Sequence, residues 1–326
     1  MQRRLMRFHT IILLLPLLFF SSTGFKEPRL LPGPDRNISL IRDPNFSKGI
    51  NLRGFYAEHP ETIRALHPFD SNKTGKAVWI LDQWASRYNL KDAAREQLPD
   101  GSVRYANTGK TVILHRPGNG NAADLEVFGS REYTAPRKPN QPWPHLLLEQ
   151  GMDTRYLLSQ MEQLNFQITA RLRYCNDKMD SATFKSDLHT AQFSIYLSVS
   201  NVNKQSPGYG DYLWFGLPLY DYRYRNIPRF AAEDGGKPDA TKKFIYSLSG
   251  AQLYSGSFCD GKWISIDKDL LFFIKAAVNA ARQHGYLQET SWEDMAISGM
   301  NIGWEMPGTF DAAMQWKDME LRAQLK

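Results

Sequence analysis

The segment Leu164-Asn-Phe-Gln-Ile-Thr-Ala-Arg-Leu-Arg-Tyr174 alternates without a break. Leu164, Phe166, Ile168, Ala170, Leu172 and Tyr174 share one side, and Asn165, Gln167, Thr169, Arg171 and Arg173 the other. Successive side chains of a strand point to opposite faces, whereas a helix would scatter these apolar residues around its axis. The segment is therefore a strand with one buried and one wet face. Gln192 to Ser200 repeats the pattern with Phe193, Ile195, Leu197 and Val199. The shared pattern and the polar connection predict that the two strands are neighbours in one curved sheet.

Shorter strands are predicted at Ala77–Trp84, Val103–Ala106, Lys110–His115, Asp124–Ser130, Leu146–Glu149, Lys243–Ser247 and Lys262–Ile266, with a first strand from Asn37 that ends at Asp43-Pro44. Turn residues at such intervals favour an all-β sandwich over βαβ units. Glu61–Leu66 and Tyr88–Gln97 suit short helical turns. One longer helix is expected, capped by Asp267, with the stripe Leu271, Ile274, Val278 and Ala281 and a left-handed stop at Gly285. Met300 to Leu321 reads as a closing antiparallel hairpin turned at Pro307-Gly308, a pair suited to a type II turn. Its apolar phase slips from even positions (Phe310 to Trp316) to odd ones (Met319, Leu321), which predicts a bulge aiming Asp318 at the first strand. The expected fold is all-β: two antiparallel sheets with one or two peripheral helices, in a single domain over residues 37–326.

Arg3, Arg4 and Arg7 precede the apolar run Ile11 to Phe20 and then Ser21-Ser-Thr-Gly24. That order predicts a signal peptide over residues 1–24, since a membrane span needs roughly 20 apolar residues. A Pro-rich leader follows over 25–36. The protein is then expected to be secreted, periplasmic or at the cell surface, with no membrane span once the signal is removed. Its loss takes three arginines from a formal charge of +6 and leaves a mildly basic chain. Such a balance, without a Lys/Arg cluster, gives no nucleic-acid partner. The two cysteines, Cys175 and Cys259, are open to pairing in an oxidising compartment or to remaining free thiols. Glycosylation acceptor patterns begin at Asn37, Asn45 and Asn72. Zinc-ligand spacing, a phosphate-binding loop, a serine elbow and a dinucleotide fingerprint are all missing from the sequence.

Three places carry candidate chemistry. Sugar rings present apolar faces edged with hydroxyls, and Trp214, Tyr220, Asp221, Tyr222, Arg223 and Tyr224 mix flat aromatic platforms with charged groups. His145 and Glu149 share one face of a strand, about 13 Å apart at ~3.3 Å per residue, so His145 is a base only for some other partner. Glu305, by alternation with Ile302 and Trp304, faces away from the core. A glycoside hydrolase would need a second carboxylate beside it, for which Asp311, Glu149, Asp82 and Asp221 are the candidates. A lyase would instead draw a base from His145 or Tyr222, with Arg223 neutralising a uronate.

Asp43-Pro-Asn-Phe46 near the start and Gln315-Trp-Lys-Asp-Met-Glu-Leu321 near the end resemble the first and last strands of secreted jelly-roll carbohydrate-binding and carbohydrate-active proteins, of the concanavalin-like or galactose-binding-like kind. The resemblance implies a jelly-roll β-sandwich, an oligo- or polysaccharide partner, and a structural calcium ion held by Asp43, Asn45 and Asp318. The chain departs from the pattern at Ser47, where Glu is common. The first reading is a secreted carbohydrate-binding protein, in which Trp214, Tyr220, Asp221, Arg223 and Glu149 contact the sugar. The alternatives are a polysaccharide-degrading hydrolase or lyase on the same fold, drawing on Glu305, His145 and Tyr222, and a non-catalytic cell-surface structural protein.

Overall fold

The alternating stretch at Leu164 lies within the longest strand of a two-sheet sandwich. The computed structural model describes residues 36–54, 62–67, 76–116, 118, 122–237 and 240–326. The predicted signal segment and the acceptor pattern at Asn72 lie outside them. In chain order the strands are β1 (Asn37–Ser39), β2 (Ile50–Arg53), β3 (Thr62–Leu66), β4 (Trp79–Asp82), β5 (Arg95–Gln97), β6 (Val103–Ala106), β7 (Lys110–Leu114), β8 (Ala123–Phe128) and β9 (His145–Gly151). They continue with β10 (Met161–Asp177), β11 (Gln192–Asn201), β12 (Tyr212–Asp221), β13 (Phe230–Glu233), β14 (Phe244–Ser247), β15 (Ile264–Asp269), β16 (Met295–Glu305) and β17 (Phe310–Leu325).

One sheet runs β15-β10-β17-β8-β7-β6-β5, with β1 also on β17; the other runs β13-β14-β12-β11-β16-β9-β4-β2-β3. Pairing is antiparallel except for β2 with β4 and β12 with β14. This is the expected jelly-roll β-sandwich. The core forms where the two sheets meet: Trp304 of β16 donates its indole N–H to the Leu125 carbonyl of β8, and Phe193 of β11 packs on Trp316 of β17. Among the described residues, no helix is long and apolar enough to cross a membrane.

Several expectations are corrected. β10 and β11 are not neighbours; they lie in opposite sheets and present their apolar faces to each other. Alternation shows which face is buried but not which strand lies alongside. The closing hairpin is likewise no hairpin, because β16 pairs with β11 and β9 while β17 pairs with β10, β8 and β1. Pro307-Gly308 carries the chain from one sheet to the other. Where a helical turn was expected, Thr62–Leu66 forms edge strand β3, and Tyr88–Gln97 holds only a single 3₁₀ turn, Leu90–Asp92, before β5. The long helix spans Leu271–Gln283 with Gly285 at φ +86°, but Asp267 stays in β15, and Asp269 accepts the Leu271 N–H instead. Pairing of Asn165 with Asp269 extends the strand past the expected cap.

The Asp318 bulge is present: Gln167 pairs with Glu320 and Thr169 with Lys317, which leaves extra residues on β17, and Asp318 takes φ +53°. Cys175 and Cys259 are free thiols, and burial pushes the Cys175 thiol up to about 12.

A fully buried ion pair stands at one end of the sandwich. Lys110 Nζ lies 2.9 Å from Glu132 Oε1, and both side chains are wholly inaccessible. The ammonium also donates to Ser86 Oγ and the Tyr88 carbonyl, and Glu132 accepts from Ser86 Oγ and the Arg87 N–H. Removing one partner strands the other charge, so Lys110→Met is expected to cost about 3–5 kcal/mol. Urea melts would measure this, and adding Glu132→Gln should recover part of the loss.

Candidate functional site

Because Phe193, Ile195 and Leu197 of β11 and Ile302 and Trp304 of β16 point inward, the residues between them line the outer face of the nine-stranded sheet. Register arranges them in cross-strand rows. The first row runs Asp221, Gln192, Glu305, His145 over β12, β11, β16 and β9. The second runs Ser194, Gly303, Leu147, Asp82. In the third, Gly216, Tyr196, Asn301, Glu149 and Ile80 stand side by side. Glycine is needed at Gly216, where a Cβ would lie 2.8 Å from the Tyr196 ring and 2.1 Å from Ser247 Oγ.

The first row brings Glu305 and His145 together, with His145 Nε2 3.4 Å from Glu305 Oε2. Trp143 donates its indole N–H to the same carboxylate at 2.9 Å and stacks on the imidazole. Lys237, from the loop between β13 and β14, places Nζ 3.1 Å from His145 Nε2 and 4.8 Å from the centre of the Trp143 ring. Burial works to raise the pKa of Glu305. The hydrogen bond and charge of His145, together with Lys237 and Trp143, outweigh it and hold the carboxyl at about 2. Glu305 is thus ionised at any ordinary pH, with 28% of its side chain exposed.

The neighbouring Asp82 behaves in the opposite way. Arg53 Nη1 bridges Glu149 Oε1 at 2.6 Å and Asp82 Oδ1 at 3.3 Å. Asp82 is wholly buried, and burial, then the Glu149 charge and hydrogen bond, raise its pKa to about 8 against the partial opposition of Arg53. Asp82 therefore keeps its proton at neutral pH, and Glu149 beside it has 27% of its side chain open.

Buried polar atoms normally find partners. On this face Arg53 Nε, Asp82 Oδ2, Trp84 Nε1, His145 Nδ1 and Asn301 Oδ1 have none, five of the nine such side-chain atoms among the described residues. These atoms belong to residues in or beside the three rows.

The sequence candidates divide accordingly. Glu305, His145, Glu149, Asp82, Asp221 and Trp214 share this face. Asp221 accepts from Thr190, Gln192 and a two-pronged Arg223, which together outweigh burial and lower its pKa. Trp214 donates to Thr241 Oγ1 and packs edge-on to Tyr212 and Tyr196. Tyr220 is corrected to the core. A bulge between the Phe193–Tyr220 and Ser194–Pro218 pairs inverts the alternation, so Tyr220 meets Trp304 inside. Tyr222 lies against Phe310 and Phe184, away from the rows. Asp311 belongs to the other sheet, where it accepts from Ser130.

Of the implied calcium ligands, Asn45 is exposed beside the turn that Asp43 closes. The Asp43 carboxylate already accepts from Ser47 N, Ser47 Oγ and Lys48 N, closing a turn, and Asp318 is exposed at its bulge. Among the described residues no group of three or more His, Cys, Asp or Glu is placed to hold a metal ion.

Arg53, Lys237, Gln192, Asn301, Trp84 and Tyr196 were not anticipated. Arg53 had a signal, since it alternates with Ile50 and Leu52. Lys237, beyond Gly235-Gly236, had none.

No protein-family profile matches the chain, and no curated protein does. Solved structures similar to it include the endoglucanase cel12A from Rhodothermus marinus, at 12% identity and a TM-score of 0.37 over 72% of this chain and 97% of that one. A family 12 xyloglucanase from Bacillus licheniformis is similar at 9% identity and 0.40 over 71% and 97%. A family 11 xylanase from Neocallimastix patriciarum is similar at 8% identity and 0.35 over 71% and 94%.

Proposed function

We propose that the protein is a polysaccharide-degrading glycoside hydrolase whose cleft is the outer face of the nine-stranded sheet. The observation that carries this is the split between its acids: Glu305 is driven down to about 2 and Asp82 up to about 8 on one surface. Groups pushed apart in this way take the two roles of acid–base chemistry. Asp82 holds the proton for the leaving glycosidic oxygen, passed on through the neighbouring, partly exposed Glu149. Glu305, ionised and steadied by His145 and Trp143, activates water. Register separates Glu149 from Glu305 by one strand and four residues, about 14 Å between backbones. Inverting enzymes hold their two carboxyl groups roughly 6.5–9.5 Å apart, so Glu149 and Glu305 would have to lean toward each other across the second row to act as an inverting pair. The ~5 Å of a retaining pair is further still from this spacing. Trp214, Tyr212 and Tyr196 give sugar rings a surface to stack on. Export, expected from the N-terminal run, would bring the protein to polymers outside the cell.

The test is product analysis over a polysaccharide panel. New reducing ends support the proposal, and the first-formed sugar should carry the inverted anomeric configuration by proton NMR. Unsaturated products would point to a lyase. Tight binding without products would return the protein to a binding role. Trp214→Ala should weaken binding by roughly ten-fold with the melting temperature little changed, because that ring lies on the outer face.

A further inference from the structure

We infer that the cleft continues past His145 into a second binding region that takes an anionic sugar unit, a uronate or a sulfated residue. This rests on the polysaccharide reading above and names the class of polymer. A groove of about 700 Å³ lies there, lined by Ala85, Arg87, Lys138, Asn140, Gln141 and Pro144 among others. Its place in the chain joins it to the site. Ala85 follows Trp84 and Pro144 precedes His145, the residues whose Nε1 and Nδ1 are buried without partners.

The charge in this region is one-sided. Arg87 and Lys138 are exposed, and neither forms an ion pair with a carboxylate among the described residues. Glu132 is the single acid in the lining, and its charge is matched inside by Lys110. Arg137, on the same loop as Lys138, is buried, and its guanidinium donates only to the carbonyls of Pro307, Gln141 and Leu188 while lying 4.9 Å from the Trp143 ring centre. Lys237 sits 4.8 Å from that ring centre as well. A buried guanidinium held by carbonyls alone keeps its full charge uncompensated. Two exposed cations in the lining of this groove, Arg87 and Lys138, backed by the buried charge of Arg137, draw in an anion, and an arginine fork matches a carboxylate or sulfate with paired hydrogen bonds.

The experiment compares the full-length protein with an Arg87→Ala/Lys138→Ala double variant, both sites being exposed. Binding and turnover are measured on polygalacturonate, dextran sulfate and neutral xyloglucan, at low and high sodium chloride. The wild type should favour at least one anionic polymer by roughly ten-fold or more, a preference that salt weakens. The double variant should lose it while handling xyloglucan unchanged. Polygalacturonate alone would identify carboxylate recognition, and dextran sulfate alone sulfate recognition. Equal handling of xyloglucan by the wild type, or a preference that survives in the variant, overturns the anionic assignment and leaves the hydrolase reading in place. Failure to bind or cut any polymer overturns both.

Discussion

Glu305→Gln should lower kcat on the best polysaccharide substrate by about 10²–10⁴-fold, the usual contribution of a positioned acid or base, while substrate still binds. Glutamine keeps a carbonyl oxygen to accept the Trp143 N–H, so the side chain retains its place beside the imidazole. What it lacks is the charge. With 28% of the side chain exposed the change opens no cavity, but it removes the charge that His145 and Lys237 stabilise, so the melting temperature should fall by no more than several degrees. Initial rates with a binding isotherm separate the two effects. A variant of undiminished kcat would remove Glu305 from the chemistry, and a collapse in melting temperature would recast the first row as structural.

Asp82→Asn should stabilise the protein at alkaline pH and abolish turnover. The ordinary carboxyl pKa of 3.8 is raised to about 8 in the folded chain, by burial first and Glu149 second. Below pH ~4 both states hold the proton and nothing is lost. Between ~4 and ~8 the unfolded chain releases a proton that the folded one keeps, so stability falls with a slope of up to ~1.4 kcal/mol per pH unit. Asparagine carries no such proton. The variant and wild type should melt alike near pH 4, and the variant several degrees higher at pH 8, as scanning calorimetry across that range would show. The wild-type activity profile should have an alkaline limb near 8, where Asp82 gives up its proton. Parallel melting curves at every pH would mean that Asp82 ionises normally and holds no proton for catalysis.

Local patterns proved reliable for faces and weak for partners. Alternation at Leu164–Leu172, Phe193–Val199 and Ile302–Trp304 named the buried sides correctly, and the phase slip before Met319 located a real bulge. Nothing in those stretches distinguishes a neighbour in the same sheet from a strand opposite, because both relations bury the same side chains. The misplacement of Tyr220 has a similar origin: its sheet face depends on a one-residue bulge against Phe193, and no apolar break in the sequence marks it. Glu305 and His145 were each suspected alone. Their meeting required the β16–β9 register, which brings together residues 160 positions apart in the chain.

The Pro307-Gly308 crossover has a consequence for how the protein is made. β16 sits between β11 and β9, and β17 sits between β10 and β8, so two interior strands of opposite sheets come from the final stretch of chain. Until that stretch leaves the ribosome, β10 and β11 each lack a neighbour along one edge, and those hydrogen-bonding edges wait unpaired. Contacts of such large sequence separation form late and slowly, and incomplete sheets are prone to stick to one another. Assembly of both layers is thus deferred until β16 and β17 have emerged, and a chain stopped before β16 should stay open and need a chaperone rather than settle into half a sandwich.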